Sequence, residues 1–176
     1  MEIYEPSDDS YFFAEFLKKY LKKNHPKTFL DIGCGSGILA KTVSKFFSNK
    51  DILCADINPS AVVTTKLLGF KTIKSNLFSK IQKNKKFDLI TFNAPYLPEG
   101  EYESKESQLI TTGGKNGDEI SSKFIKQAKE HLNEKGKILL LVSSLTPMEK
   151  ISKYKPKLVA KKKIFFEELR IYEFKK

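Results

Sequence analysis

Arginine occurs once in this 176-residue chain, at Arg170, and cysteine only twice, at Cys34 and Cys54. Two cysteines with neither metal-ligand spacing nor a secretory setting read as free thiols, and no metal site is expected. No apolar run is long enough to span a bilayer, which argues against a membrane role. The opening residues Met1, Glu2, Tyr4 and Glu5 lack the basic and apolar parts of a signal peptide, so a soluble, cytoplasmic protein is expected. The formal net charge of +11 attracts anionic partners. The scarcity of arginine weakens a nucleic-acid reading, because the guanidinium fork is what grips phosphate and guanine through paired hydrogen bonds. The lysines are spread along the chain, with clusters at Lys18 to Lys23, Lys83 to Lys86 and Lys161 to Lys163, so a solvated basic surface is the simpler account. The length suits one domain, residues 1–176, with one core and no room for a second catalytic module.

What the chain does contain is an alternation of helical and strand-like periods. The polar lead-in runs from Tyr4 to Ser10, and Pro6 keeps Glu5 out of the helical region. Phe12, Phe13, Phe16, Leu17, Tyr20 and Leu21 then line one helical face, and Asn24 and Pro26 stop it. Asp8, Asp9 and Ser10 read as N-terminal caps of that helix, and His25 as a surface residue. Thr28 to Ile32 suits a buried parallel strand, followed by a helix from Ser36 that includes Phe46 and Phe47. Asp51 to Ala55 is a second strand closed by Asp56, then a helix from Pro59 to about Leu68 with Gly69 as its stop. Phe70 to Lys74, Phe87 to Phe92 and Lys137 to Val142 are three more strands. Between the last two lie a long polar loop, Leu97 to about Gly117, and a helix from Asp118 to Leu132; loops of that length are often functional. Leu145 to Tyr154 reads as a short helix. Leu158 to Phe166 and Leu169 to Phe174, joined at Glu167 and Glu168, read as a hairpin. Together these predict an α/β fold: a mostly parallel seven-stranded sheet with helices on both faces and a C-terminal antiparallel hairpin. Ligands of such sheets bind beyond the carboxyl ends of the strands. Asp31 to Gly37, Asp56, Asn76 and Asn93 all fall there.

Gly33, Gly35 and Gly37 allow a tight turn that approaches a ligand where a side chain would collide. Asp31, just before it, would repel a pyrophosphate and attract a cationic amino-acid headgroup. Asp56, about 20 residues on, is spaced to accept the hydroxyls of a ribose. A glycine-rich turn alone is equally a plain tight turn, but with both aspartates it points to S-adenosylmethionine. The turn Asn93-Ala94-Pro95-Tyr96 adds a clamp for a planar NH2 group. The Asn93 side-chain oxygen and the Ala94 carbonyl are positioned to accept its two N–H bonds, Pro95 stiffens the turn, and Tyr96 can stack on the flat group. Such bonds strengthen as the nitrogen gains positive charge during methylation.

DIGCGSG, DINPSAV and NAPYLP resemble the class I S-adenosylmethionine-dependent methyltransferases, whose Rossmann-like fold is therefore expected. YEPSDDS and TGGKNGDE resemble, more narrowly, the HemK-related enzymes of archaea and eukaryotes that methylate the side-chain nitrogen (N5) of the glutamine in the Gly-Gly-Gln motif of class I translation release factors. The resemblance implies that Ser10 approaches the donor, that Asp31 and Gly33 hold its amino-acid part and Asp56 its ribose, and that Asn76 with Leu77 holds its adenine. Asn93 would meet donor and acceptor. Ala94 stands where the family usually has Pro, and Asn76 where it usually has Asp. The family also implies a small zinc-binding activator subunit pairing with the strand Phe70 to Lys74, although Lys71 and Lys74 are equally edge gatekeepers. The alternative substrate is the N6 amine of adenine in DNA or RNA, which fits the same clamp, but the chain has no room for a domain that flips a base.

Overall fold

The computed structural model describes residues 5–97 and 112–176; Tyr4 of the lead-in, Pro98 and most of the predicted loop lie outside them. The elements follow in the order α1 (Asp8–Leu21), β1 (Phe29–Ile32), α2 (Ile38–Val43), β2 (Ile52–Asp56), α3 (Pro59–Leu67), β3 (Lys71–Lys74), β4 (Phe87–Asn93), α4 (Glu119–Glu130), β5 (Leu132–Ser143), α5 (Glu149–Ser152), β6 (Lys157–Ile164) and β7 (Glu167–Lys175). The strands form a seven-stranded sheet in the order β3-β2-β1-β4-β5-β7-β6. The first five run parallel, and β7 runs antiparallel to both β5 and β6.

The strand period of two sends side chains to two separate cores. Along β5, Ile138, Leu140 and Val142 face Phe124, Ile125 and Ala128 of α4, while Leu139 and Leu141 face the layer that contains Phe13, Leu17 and Leu21 of α1 and Leu39 of α2. Central strands covered on both sides must be apolar almost throughout, which explains the continuous runs FLDI and ILCAD, every residue of which is buried. Chain reversal falls at β1–β4, where β2 and β4 flank β1 on opposite sides. The carboxyl ends of β1, β2 and β4 therefore diverge around a crevice.

Local departures from the sequence reading have local causes. The helix expected through Phe47 ends at Val43. Beyond it Phe47 turns back onto Phe29, with ring centroids 5.8 Å apart, while Phe46 is left exposed. The expected helix from Leu145 to Tyr154 shrinks to Glu149–Ser152, since Pro147 precedes it and disfavours helical geometry at Thr146. In the closing hairpin the turn is Phe165-Phe166, not Glu167-Glu168. The two glutamates belong to β7 because the end of β5 captures them. Ser143 Oγ donates to Glu167 Oε2, Ser144 N donates to the Glu168 carbonyl at 2.7 Å, and Glu168 N donates to Ser144 Oγ at 2.9 Å.

Candidate active site

A cavity of about 440 Å³ opens at the carboxyl ends of β1, β2, β3 and β4, within the usual size range of a cofactor pocket. Ser10, Asp31, Gly33, Gly35, Asp56, Asn76, Leu77, Asn93, Ala94, Pro95 and Tyr96 line it, whereas Gly37, the third glycine of the turn, faces Leu68 and Thr65 instead. The lining residues come from five segments between positions 10 and 96, brought together by parallel pairing of β1 with β2 and β4.

The turn after β1 is built around Gly33 and Gly35, both at positive φ (65° and 48°). A Cβ on Gly33 would stand 2.8 Å from the Phe92 ring, so only glycine lets the backbone pass between that ring and the cavity. Gly35 N donates to Asp56 Oδ2 at 2.8 Å, and Asn58 N to Asp56 Oδ1 at 2.8 Å. With a further backbone bond from Ile57, this buried carboxylate is oriented by backbone N–H groups on both oxygens and still has acceptor capacity for a ligand hydroxyl. Burial raises the affinity of Asp56 for its proton, and these backbone bonds oppose it.

Asp31 is more demanding. Its Oδ1 accepts from Thr91 Oγ1 at 2.8 Å, and its Oδ2 is buried with no hydrogen-bond partner. Burial pushes its pKa up to about 7; the Thr91 hydroxyl pulls it down and the nearby Asp56 charge adds to the rise. A buried, half-satisfied carboxylate at the edge of a cavity is complementary to a cationic group that would restore its charge. The donor set of Asp31, the glycine turn and Asp56 therefore fits S-adenosylmethionine, whose ammonium and ribose need such acceptors.

Asn93 closes β4, one residue further along the strand than expected. Its Nδ2 donates to Asp9 Oδ2 at 3.0 Å and reaches Ser10 Oγ at 3.5 Å. Its Oδ1 is buried without a partner. The amide is consequently held in one orientation, with its acceptor atom unspent. Asp9 owes this role to tertiary structure: its Oδ1 takes Ser7 Oγ, Ser10 N and Ser10 Oγ within the first turn of α1, but Oδ2 reaches a residue 84 positions away. The capping assignment of Asp8, Asp9 and Ser10 is therefore corrected, since the N-cap of α1 is Ser7 and all three lie inside the first turn; Thr91, which braces Asp31, had no reading at all. The one sequence signal for Asp9 is its place beside Ser10.

The remaining lining completes the shape. Leu77 sits at φ 49°, and Ser75 holds this turn through Ser75 Oγ to the Leu77 carbonyl (2.8 Å) and Ser75 N to the Asp56 carbonyl (2.8 Å). Asn76 lines the cavity from an exposed position. Tyr96 is half-buried, packed against the α1 layer, and Ile120 and Lys123 of α4 stand at the mouth. Cys34 and Cys54 are buried free thiols, as expected.

The sequence matches the methyltransferase small domain family over residues 12–165. The "Putative protein N5-glutamine methyltransferase" of Methanocaldococcus jannaschii is 37% identical over 184 residues, which cover 97% of this chain and 90% of that protein. The "eRF1 methyltransferase catalytic subunit mtq2" of Schizosaccharomyces pombe is 28% identical, covering 77% of this chain and 70% of that one. The chain spans about half the length of bacterial relatives, as with the release factor glutamine methyltransferase of Clostridium botulinum (32% identical, 53% of its length). Among solved structures, a ribosomal protein L11 methylase from Lactobacillus delbrueckii superposes with a TM-score of 0.67 at 20% identity, over 98% of this chain and 81% of that one. The sheet order with its antiparallel hairpin is the class I methyltransferase fold, and the chain belongs to the methyltransferase small domain family.

Proposed function

We propose that this chain methylates the side-chain amide nitrogen of a glutamine in the Gly-Gly-Gln motif of a class I translation release factor, with S-adenosylmethionine as donor. The observation that carries the proposal is the Asn93 amide, with Nδ2 occupied by Asp9 and Ser10 and Oδ1 buried and unpartnered. When bound, S-adenosylmethionine supplies an electrophilic methyl group on sulfur. Asp31 and Gly33 receive its amino-acid part, Asp56 and Gly35 shape the ribose seat, Asn76 and Leu77 flank the adenine, and Ser10 closes the side next to Asn93.

The acceptor chemistry falls to the clamp. An amide nitrogen is a weak nucleophile because its lone pair is delocalised into the carbonyl. Asn93 Oδ1 and the Ala94 carbonyl accept its two N–H bonds and turn the lone pair toward the donor. As positive charge builds on that nitrogen the two bonds strengthen, lowering the barrier by differential binding. Tyr96 packs along the flat group and Pro95 holds the turn. Alignment supplies most of the rest.

Support for this substrate comes from the relatives named as glutamine and release factor methyltransferases; nothing comparable favours an adenine acceptor. A zinc-binding activator subunit is part of the same reading. Strand β3 lies at one end of the sheet, and beside it α3 leaves Val63 and Leu67 exposed, Leu67 by 83%. An apolar helix face next to an open strand edge suits strand addition by a partner, and the yeast relative is named as a catalytic subunit. Among the described residues no helix is long and apolar enough to cross a membrane. Mass spectrometry of release factor incubated with the enzyme and S-adenosylmethionine tests the proposal. A single methyl on the motif glutamine is expected; label in nucleic acid alone would overturn it.

A further inference from the structure

The tip of the β6–β7 hairpin is built against the ordinary rules of folding. Phe165 and Phe166 form its two-residue turn and are 90% and 99% exposed. Each aromatic ring left in water forgoes roughly 150 Å² or more of burial. Phe165 also sits at φ 36°, a left-handed conformation unfavourable for a bulky residue. A hairpin with positive φ at the first turn position prefers glycine there. Neither packing nor turn chemistry accounts for two phenylalanines.

The position of the tip gives them a use. Asn93 is level with Leu141 across β4–β5, and Leu141 with Ile171 across β5–β7. Phe166 lies five residues before Ile171, so the tip stands about 17 Å beyond the level of Asn93, on the rim where the cavity opens. Lys162 ties the hairpin to the start of α1, its Nζ 2.8 Å from Asp8 Oδ1. Next to Phe166 a shallow depression is lined by Ser144, Lys163, Glu167, Glu168 and Arg170. Glu168 is paired with Lys161 and Arg170, whereas Lys163 has no ion pair among the described residues. Exposed Leu145 follows Ser144, which is bonded to Glu168.

We infer that this tip is a second docking point for the acceptor protein, gripping a surface with an apolar residue beside a carboxylate while the glutamine enters at Asn93; the inference rests on the methyl-transfer reading above. The apolar side chain would lie against Phe165 and Phe166, and the carboxylate would meet Lys163. A small peptide cannot use this contact. An extended six-residue strand centred on the glutamine reaches only about 10 Å to either side, short of the tip. The whole protein can use it.

The test compares intact release factor with a six-residue Gly-Gly-Gln peptide as substrates for the parent enzyme and for the double variant Phe165→Gly, Phe166→Ser, whose turn is chemically easier than the parent's. The variant should lose roughly tenfold to hundredfold in kcat/KM on the intact protein, while its peptide kcat/KM and melting temperature stay within error of the parent's. An unchanged rate on the intact protein, or an equal loss on both substrates, would overturn the docking role. So would a parent dimer in light scattering that the variant converts to monomer, since the tip would then serve self-association. A parent enzyme that methylates neither substrate would sink the methyl-transfer reading itself.

Discussion

Replacing Asp31 by Asn separates the cost of this carboxylate to the fold from its use to the cofactor. Burial makes the folded chain hold the Asp31 proton until about pH 7, against an ordinary value of 3.8. The unfolded chain releases that proton near pH 4. Between pH 4 and 7 the folded state binds more protons, so the stability it draws from this group is present below pH 4 and lost as pH rises through 7. Above that, the cofactor-free protein bears the whole cost, ~4 kcal/mol at most for a gap of that width. An Asn has no charge to desolvate. It keeps an acceptor for Thr91 but puts an amide N–H where Oδ2 has no partner, which costs about 1–3 kcal/mol. The variant should be more stable than the parent by roughly 1–3 kcal/mol at pH 8, about 3–10 °C in Tm for a chain of this length. The advantage should vanish or reverse at pH 4. Scanning calorimetry at pH 4, 6 and 8 measures this. Titration calorimetry at pH 8 measures the other half, a ~10–100-fold weaker uptake of S-adenosylmethionine once the anion facing its ammonium is gone. A variant that melts below its parent at pH 8, or a difference indifferent to pH, would refute the reasoning. Unchanged affinity would remove Asp31 from the cofactor seat.

Asn93→Ala should lower kcat by at least ~100-fold, as loss of a transition-state acceptor does, with cofactor affinity within about tenfold in titration calorimetry. Asp9→Ala frees the Asn93 amide to rotate without removing it. Single-turnover kinetics should find kcat reduced roughly tenfold to hundredfold with substrate KM and cofactor affinity nearly unchanged; a change confined to thermal stability would make Asp9 a helix cap only. Gly33→Ala forces a Cβ to 2.8 Å from the Phe92 ring at φ 65°, which should destabilise the protein by about 1–3 kcal/mol. Adding Phe92→Leu should recover part of that loss in chemical denaturation.

The order of elements was legible because both signals that define them are local. The three central strands read as continuous apolar runs, and the helices as apolar faces at three- and four-residue steps. The hairpin turn was misplaced because charge suggested Glu167 and Glu168, whereas Ser143 and Ser144, at the end of a neighbouring strand, recruit both into β7. The helix end at Val43 was likewise set by Phe47 packing back onto Phe29, whereas the start at Glu149 follows from the backbone restriction that Pro147 imposes on Thr146.

The candidate site divides along the same line. Chain chemistry alone determined that glycines, two aspartates and an Asn-Ala-Pro-Tyr turn stand at or near strand ends, because such residues are rare in apolar strand interiors and so mark where strands stop. Only the tertiary structure decided that Asp9 holds the Asn93 amide, that Thr91 satisfies half of Asp31, and that Asn93 Oδ1 and Asp31 Oδ2 are left for a ligand. Those are hydrogen bonds between residues 60 and 84 positions apart. A local pattern carries no record of which distant polar atom meets another; parallel pairing of β1 with β4, and the packing of α1 over them, brings the pairs together.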